Sequence, residues 1–340
     1  TCSIIVATVL VLFLLQYLHS SFSCETTKMT TTNQKPTELI VTATKTELSQ
    51  ALCRKIIDIA TQSIRERKQF TIALSGGSLP KLLAAVAETY HTSTAAVATA
   101  TQAGEEAEFW KRWYVFLADE RCVPIDDDDS NLKSIQDHFL QTVPMIPTKH
   151  IYGIDQELVS KLAGASTTTC SNDSSIMDAI AVRYEQDMKN VLGKEGMLDL
   201  AVLGFGPDGH TCSLFPGHKL VVGNGKEVVG GTKKWIEPIM DSPKLPPNRI
   251  TLSLSFVTEG RHLRHSTICG AGVSKFPIIN AVFEDIATYQ QQQYAGNKKS
   301  AAVQTYQPTL VSPPPYPCSM IAPHETVTWI VDNDAMVGEK

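Results

Sequence analysis

The chain has 340 residues, of which 43% are hydrophobic and 19% are charged. This length is ample for a buried core, built as one large domain or two small ones. The formal net charge of −5 and the lack of a basic stripe exclude a nucleic-acid-binding surface, although a few local cations would suffice to hold a small anion.

The cysteine spacing argues against a zinc site. The eight cysteines stand at residues 2, 24, 53, 122, 170, 212, 269 and 318, and no two of them form a CxxC pair. Four of them lie in or beside apolar segments and are expected to be buried free thiols: Cys53, Cys122, Cys212 and Cys269. Disulfides are the alternative if the chain enters an oxidising compartment.

The N-terminal segment 1–24 predicts a signal peptide or a signal anchor. The run from Ile4 to Leu15 contains 12 apolar residues, which is short for a membrane span and typical of a signal peptide. Ser21 and Ser23 stand at the small-residue positions of a cleavage site. A buried element is a third alternative, against which the polar, Thr-rich segment 25–37 argues; that segment is predicted to be a linker. We therefore expect secretory-route targeting, to the endoplasmic reticulum lumen or a plastid, with the cytoplasm as the alternative and membrane contact only through an anchor.

Hydrophobic patterns beyond the linker predict strands that alternate with helices. The predicted strands cover residues 38–44, 70–75, 113–119, 197–204, 249–256, 266–270 and 326–332. The predicted helices cover residues 47–67, 80–90, 131–140, 178–192 and 275–283. Thr46 is expected to be the N-cap of the first helix, and Pro80 suits the first turn of the second, where its fixed φ is tolerated.

This alternation predicts an α/β fold: a Rossmann-like three-layer sandwich in which helices cover both faces of a mostly parallel sheet. We expect residues 38–340 to form a single domain. Low-complexity segments near 92–108, 165–175 and 289–316 are predicted to be solvated surface insertions without chemistry. Chemistry is expected at the carboxyl ends of the strands, where the polar clusters of the sequence stand.

The first polar cluster is Ser75-Gly76-Gly77-Ser78, which follows a predicted strand and precedes a predicted helix. Its backbone N–H groups would suit a phosphate or a carbonyl oxyanion at the positive end of the helix. A tight turn that uses glycine for steric reasons explains the same residues equally well. The GxxxxGK[ST] pattern of a P-loop is absent from the sequence.

The second cluster is Asp119-Glu120-Arg121, at the end of another predicted strand. The guanidinium of Arg121 can fork onto a phosphate. An arginine–carboxylate pair that ties down the loop is the alternative. The acidic run 126–129 is expected to be solvated.

The third cluster surrounds His210. Residues 204–209, GFGPDG, match GxGxxG after a strand, but Asp208 would repel a pyrophosphate and no second strand ends in an acid about 20 residues further on, so we reject a dinucleotide site. An unperturbed imidazole titrates near neutrality, and His210 lacks sequence neighbours that would bury it. It is therefore a candidate base, with a structural histidine as the alternative. The absence of a GxSxG elbow argues against a serine hydrolase.

Five segments together resemble one family, the glucosamine-6-phosphate isomerases and 6-phosphogluconolactonases, from about Glu38 to Asp334. They are, in chain order, LSGGSLPKLL, FLADERCVP…SN, DLAVLGFGPDGHTCSLFPGH, PPNRITLSL and GVSKFPII, and GPDGHTCSLFP is highly specific for the family. In the deaminases of this wider group, the Asp-Gly-His turn continues into an Asn-Glu-Pro segment whose glutamate takes part in ring opening. Phe215 stands in the corresponding stretch here and cannot transfer a proton, so the resemblance is to the lactonases.

The resemblance implies a NagB-type fold and the hydrolysis of 6-phospho-D-glucono-1,5-lactone to 6-phospho-D-gluconate, the second step of the oxidative pentose phosphate pathway. It implies that His210 activates the hydrolytic water as a general base and that Asp208 orders the turn and the imidazole. The substrate would be held by eight further residues: Gly76, Gly77, Ser78, Asp119, Arg121, Gly209, Arg249 and Lys275.

The implied reaction needs no metal or organic cofactor, because it involves neither electron transfer nor a poor leaving group. The implied partner is a small sugar-phosphate lactone, and the implied state is a monomer. The chain departs from the family at Ser274, where relatives usually have glycine, and in insertions around 217–235 and 289–316, which affect the dimensions of the pocket rim. A sugar-phosphate isomerase or deaminase and a non-catalytic sugar-phosphate binder are the alternatives.

Overall fold

The computed structural model describes residues 37–94, 102–164, 170–193, 196–222, 234–294 and 303–338. The predicted leader and all of the predicted linker except Thr37 lie outside these ranges. Within these ranges, no helix has the length and apolar character that crossing a membrane requires.

The described residues form ten strands. They are β1 (Thr37–Thr42), β2 (Phe70–Leu74), β3 (Trp113–Leu117), β4 (Asp119–Arg121), β5 (Leu198–Gly204), β6 (Ile236–Ile239), β7 (Arg249–Leu252), β8 (Leu263–Gly270), β9 (Gln304–Tyr306) and β10 (Thr326–Asp332). Seven of these described strands make one sheet in the order β3-β2-β5-β8-β10-β1-β9. Neighbouring strands run parallel except for β9, which is antiparallel to β1 at the edge.

The helices connect these strands. In the described residues they are α1 (Lys45–Arg67), α2 (Leu79–Leu82), α3 (Val86–Thr94), α4 (Gln102–Lys111), α5 (Asn131–His138), α6 (Gln156–Gly164), α7 (Cys170–Leu192), α8 (Lys219–Val222), α9 (Leu254–Thr258), α10 (Phe276–Val282), α11 (Ile286–Tyr294) and α12 (Asn333–Val337). All five residues of β2 are buried although successive side chains point to opposite faces, so the sheet is covered on both sides. The α/β prediction is confirmed.

The N-cap of α1 is Thr44, and the prediction of Thr46 was wrong. The Thr44 hydroxyl accepts a hydrogen bond from the Glu47 N–H at 3.2 Å, and the Glu47 carboxylate accepts one from the Thr44 N–H at 3.2 Å. This capping box requires an acid three residues after the cap, which Thr44 has and Thr46 lacks. Lys45 and Thr46 consequently belong to the first turn of the helix.

A second, three-stranded antiparallel sheet was not predicted. It has the order β4-β7-β6. The strand predicted over 113–119 breaks after Leu117, and its continuation, β4, pairs with β7 instead. The strand predicted over 249–256 ends at Leu252, because the Ser253 hydroxyl accepts from the Phe256 N–H at 3.1 Å and thereby starts α9.

Parts of the predicted surface insertions are regular structure, so their assignment as loops was wrong there. Helix α4 occupies the end of the 92–108 segment, α7 begins within 165–175, α11 ends within 289–316, and β9 lies within that same segment. The prediction for 92–108 rested on the polar composition of that segment and did not consider the aromatic residues that follow it. Trp110 of α4 is fully buried, with its ring 5.4 Å from that of Tyr90.

The register of the main sheet aligns the carboxyl ends of its central strands. Leu74 at the end of β2 lies opposite Val202 of β5, and Gly204 at the end of β5 lies opposite Cys269 of β8. The Ser75 N–H donates to the Val202 carbonyl at 3.0 Å, which continues the pairing into the turn. The turns that follow β2, β5 and β8 therefore meet at one edge of the sheet.

Candidate active site

A cavity of about 490 Å³ lies where these turns meet. This volume is in the range of pockets that hold small molecules. The predicted site residues that line it are Gly76, Gly77, Ser78, Asp119, Arg121, His210, Arg249 and Lys275. Asp208 and Gly209 do not line the cavity and lie in the turn that carries His210.

The turn after β5 is built around the imidazole of His210. The Gly206 N–H donates to the His210 carbonyl at 2.9 Å, and the Gly209 N–H donates to the Gly206 carbonyl at 3.0 Å. Gly209 has φ +79°, which favours glycine. A Cβ on Gly206 would lie 2.1 Å from the imidazole and 2.3 Å from the Asp208 carboxylate. Glycine at 206 thus makes room for the pair of side chains.

Asp208 and His210 are in direct contact, with Nδ1 of the imidazole against Oδ1 of the carboxylate. An ionised carboxylate only accepts hydrogen bonds, so Nδ1 carries the proton and Nε2 keeps its lone pair. No other described residue forms a hydrogen bond with Nε2. Partial burial alone would raise the pKa of Asp208, but the hydrogen bond from His210 and the nearby charge of Lys244 lower it to about 2. Burial lowers the pKa of His210, against the raising effect of Asp208.

Lys244 is a member of this cluster that the sequence analysis missed. Its Nζ lies 3.3 Å from Oδ2 of Asp208 and 3.1 Å from Nδ1 of His210. It also lies 5.7 Å from the ring centre of Phe215, whose ring is 4.9 Å from that of His210. Lys244 could have been recognised from its sequence context. It is a cation in a proline-rich stretch, five residues before Arg249, for which no partner was predicted.

Arg249 is engaged differently from what the resemblance implied. Its Nε donates to the Pro246 carbonyl at 2.9 Å, and one terminal nitrogen donates to the carbonyls of Lys244 and Leu245, each at 2.9 Å. The other terminal nitrogen lies 3.4 Å from the Ser213 hydroxyl. The side chain lines the cavity, but most of its donors hold the loop 244–246, so a direct role toward substrate stays a prediction.

Arg121 also lines the cavity and has no carboxylate partner among the described residues. Its guanidinium donates to the Asp129 carbonyl at 2.6 Å, while its buried Nε has no hydrogen-bond partner in the described part of the chain. The loop is tied down by Glu120 instead. This buried carboxylate accepts from the N–H groups of Asn131 and Leu132, at 2.8 and 2.9 Å, at the start of α5.

Lys275 and Lys45 add further positive charge to the cavity. Nζ of Lys275 donates to the Phe205 carbonyl at 2.5 Å. Burial, and then the charge of Lys244, lower the pKa of Lys275. Lys45, in the first turn of α1, also lines the cavity and was not predicted. The cations Lys45, Arg121, Lys244, Arg249 and Lys275 face a cavity in which Asp119 is the only lining carboxylate of the described residues, an arrangement suited to an anionic ligand.

A comparison with protein families matches residues 43–329 to one family model, described as glucosamine-6-phosphate isomerases/6-phosphogluconolactonase. The chain belongs to this family. The match covers the main sheet except for the whole of β1 and the last three residues of β10. The family resemblance inferred from the sequence motifs is confirmed.

Curated relatives carry the lactonase name. "Probable 6-phosphogluconolactonase 3, chloroplastic" of Oryza sativa is 35% identical over 238 residues, which are 70% of this chain and 63% of the relative. The chain thus spans less than two thirds of that relative's length. "Probable 6-phosphogluconolactonase" of Schizosaccharomyces pombe is 34% identical over 246 residues, which are 71% of this chain and 81% of the relative.

Solved structures share the fold. The 6-phosphogluconolactonase of Leishmania guyanensis aligns with a TM-score of 0.59 at 22% identity, over 88% of this chain and 97% of that one. The Trypanosoma brucei 6-phosphogluconolactonase aligns with a TM-score of 0.57 at 24% identity, over 89% of this chain and 98% of that one. The NagB-type fold that the resemblance implied is therefore confirmed.

Metal-binding clusters are not found in the described residues: no group of three or more His, Cys, Asp or Glu side chains is placed to hold an ion. The two thiols that line the cavity, Cys212 and Cys269, are buried, and burial raises the pKa of both. They are correspondingly poor nucleophiles. His210 is the lining residue best suited to proton transfer.

Proposed function

We propose that this chain hydrolyses 6-phospho-D-glucono-1,5-lactone to 6-phospho-D-gluconate. The observation that carries the proposal is the His210–Asp208 pair, which presents a neutral imidazole to a cavity lined by cations. A lactone carbon needs only an activated water, and a sugar phosphate needs cations to hold it. The lactonase names of the relatives support the same substrate.

The phosphate end of the substrate would be held by Arg121 and Lys275, together with backbone N–H groups of the Gly76–Ser78 turn. Charged hydrogen bonds of this kind contribute about 1.5–3 kcal/mol each. Asp119 would accept a hydrogen bond from a sugar hydroxyl. Anchoring the phosphate orients C1 of the lactone toward His210, which lowers the entropic cost of the reaction.

The chemical step is general-base hydrolysis. Nε2 of His210 removes a proton from water while the water oxygen forms a bond to C1, and the carbonyl oxygen becomes an oxyanion. Backbone N–H groups of the glycine turns are the proposed oxyanion donors. The intermediate collapses as the bond between C1 and the ring oxygen breaks, and the imidazolium returns its proton to that oxygen. Such proton transfer contributes about 10²–10⁴-fold to the rate.

The alternative reactions of the family are separated from lactone hydrolysis by a substrate panel. The purified chain is incubated with fresh 6-phosphogluconolactone, with unphosphorylated gluconolactone and with glucosamine 6-phosphate, all with EDTA. We expect fast opening of the phosphorylated lactone, much slower opening of the unphosphorylated one and no ammonia release. Ammonia release would revive the deaminase, which Phe215 disfavours, and binding of 6-phosphogluconate without turnover would indicate a non-catalytic binder.

The location and assembly of the protein are part of the proposal. The rice relatives are named chloroplastic, and this supports delivery to a plastid by the predicted leader. A fluorescent protein carrying residues 1–37 should then accumulate in plastids, and accumulation in the cytoplasm would reject the prediction. We also propose a monomer, which light scattering after size-exclusion chromatography would test.

A further inference from the structure

Lys244 contacts the catalytic pair but is not needed to explain proton transfer by His210. Its Nζ lies 3.3 Å from Oδ2 of Asp208, while His210 occupies Oδ1 of the same carboxylate. An ammonium group can only donate hydrogen bonds, and Nδ1 of His210 already donates its proton to Asp208. The favourable partner of Lys244 is therefore Asp208, and its 3.1 Å approach to Nδ1 is a contact imposed by that pairing.

The backbone beneath Lys244 is fixed by Arg249. Three consecutive carbonyls, those of Lys244, Leu245 and Pro246, each accept a hydrogen bond of 2.9 Å from this one guanidinium. Arg249 itself is 3% exposed and belongs to β7. A buried side chain on a strand thus holds a loop that would otherwise have little support, since Leu245 is 84% exposed.

Resting on the proposed function, we propose that Lys244 is a positioning residue, held in place by Arg249, that fixes the Asp208 carboxylate in the orientation that receives the Nδ1 proton of His210. Both oxygens of Asp208 then have a donor, and the carboxylate cannot turn away from the imidazole. Arg249 holds the loop, the loop carries Lys244, Lys244 pairs with Asp208, and Asp208 accepts the proton of His210. Arg249 would therefore act through these contacts and not as a ligand of the phosphate.

The charges around His210 determine in which direction its pKa should move when Lys244 is replaced. Asp208 and, from the neighbouring sheet, Asp119 raise the pKa of His210, whereas Lys244 lowers it. Lys275 faces both Lys244 and Asp208 and adds positive charge on that side. Removal of the Lys244 charge should therefore raise the pKa of His210, so that the imidazole protonates at higher pH. Loss of the Lys244 charge alone would raise this pKa and leave kcat at high pH unchanged, whereas loss of the Asp208 orientation also lowers kcat there.

The decisive test measures the His210 titration and the pH profile of kcat/KM in Lys244→Met. The imidazole resonance is followed by NMR in the protein without substrate and assigned by its loss in His210→Asn. We expect the titration and the acid limb of the profile to move to higher pH, and kcat to fall roughly 10- to 100-fold, because a small misplacement of a catalytic group can cost about 10²-fold. Lys244→Arg should restore both, and Lys161→Met, which removes one exposed charge elsewhere, should change neither.

Two results would overturn the inference. An unchanged His210 titration in Lys244→Met, with only KM raised, would make Lys244 a substrate contact. Arg249→Lys keeps the charge but cannot reach three carbonyls, so it should shift the His210 titration in the same direction. The double variant Lys244→Met with Arg249→Lys should titrate like Lys244→Met alone. An unshifted titration with raised KM would place Arg249 on the substrate instead. Because the NMR experiment needs no turnover, a wild-type protein without lactonase activity would reject the proposed function separately.

Discussion

At the scale of single residues, the site depends on glycine 206 as much as on the side chains that it accommodates. The imidazole of His210 and the carboxylate of Asp208 occupy the space where a Cβ on Gly206 would stand. Gly204, two residues earlier, has no heavy atom within 4 Å of an added Cβ. Gly204 ends β5 and Gly206 lies in the turn that follows, so the two glycines form a matched pair for substitution.

Gly206→Ala should reduce kcat/KM by at least about tenfold, because the added methyl displaces His210, and misplacement by 1 Å can cost about 10²-fold. Gly204→Ala should lose far less. Lactone hydrolysis by both variants, with thermal melting as a check of folding, tests this prediction. Equal activity in the two variants would show that the imidazole is free to move and that the turn does not set its position.

The pH dependence of activity follows from the charges on His210. The base must be neutral, so activity should be full at neutral pH and fall as pH decreases through a histidine pKa that burial holds below its ordinary value. In Asp208→Asn the raising effect of the carboxylate is lost, so the acid limb should move to lower pH while the plateau falls. Profiles of kcat/KM against pH for both proteins check the direction, and a limb that moved to higher pH would contradict it.

At the scale of elements, the strands of the main sheet were predictable and the second sheet was not. Strand β10, predicted over 326–332 and found at Thr326–Asp332, has six consecutive buried residues because both faces of the sheet are covered. The strands β4, β6 and β7 have only three or four residues, too few to show a period, and β4 pairs with β7 across a long stretch of sequence. Their position depends on tertiary contacts that a local pattern does not contain.

The contact between Glu120 and the start of α5 joins the second sheet to the site. Burial raises the pKa of Glu120 to about 7, although backbone N–H groups from Asn131, Leu132 and Arg121 lower it. In Glu120→Gln an amide NH₂ would face N–H donors, so we expect a loss of about 1–3 kcal/mol in the free energy of unfolding. Urea unfolding measures it, with the exposed Glu157→Gln as the control. Equal stability of the two variants would contradict the structural role.

Tyr316 packs against the turn that carries His210, although it belongs to a segment predicted to be an insertion without chemistry. A Cβ on Gly209 would lie 2.5 Å from its ring, and the Cys318 N–H donates to the Gly209 carbonyl at 3.1 Å. Tyr316→Ala should lower kcat about tenfold by loosening the turn, whereas Tyr316→Phe, which keeps the ring, should not. Stopped assays of lactone opening compare the two variants. Equal activity of both would show that the ring of Tyr316 does not stabilise the turn.

At the scale of the whole molecule, the sequence predicted the site better than the way its parts are held. The residues that were placed at strand ends, such as Ser78, Arg121 and His210, do meet in one cavity, because the carboxyl ends of parallel strands lie side by side. The engagement of Arg249 and the presence of Lys244 and Lys45 could not be predicted. They depend on how loops far apart in the sequence pack, and no local pattern encodes that.

The cysteines give a prediction that concerns the whole core. The four thiols expected to be buried and free are so, and Cys318 joins them. Burial raises the pKa of Cys53, Cys122 and Cys318 to about 12. Iodoacetamide should therefore modify none of these five residues in the native protein and all of them after unfolding in guanidinium, as mass spectrometry of the peptides will show. Rapid modification in the native state would indicate a core that opens locally.

The most direct test of the account compares wild type with His210→Ala on freshly prepared 6-phosphogluconolactone. Each rate is measured against spontaneous opening of the lactone, with EDTA present and with folding checked by circular dichroism. We expect rapid hydrolysis by the wild type and, for folded His210→Ala, a rate within about tenfold of spontaneous opening. Equal rates for the two folded proteins, whether both are fast or both equal the spontaneous rate, would contradict a lactonase in which His210 is the base.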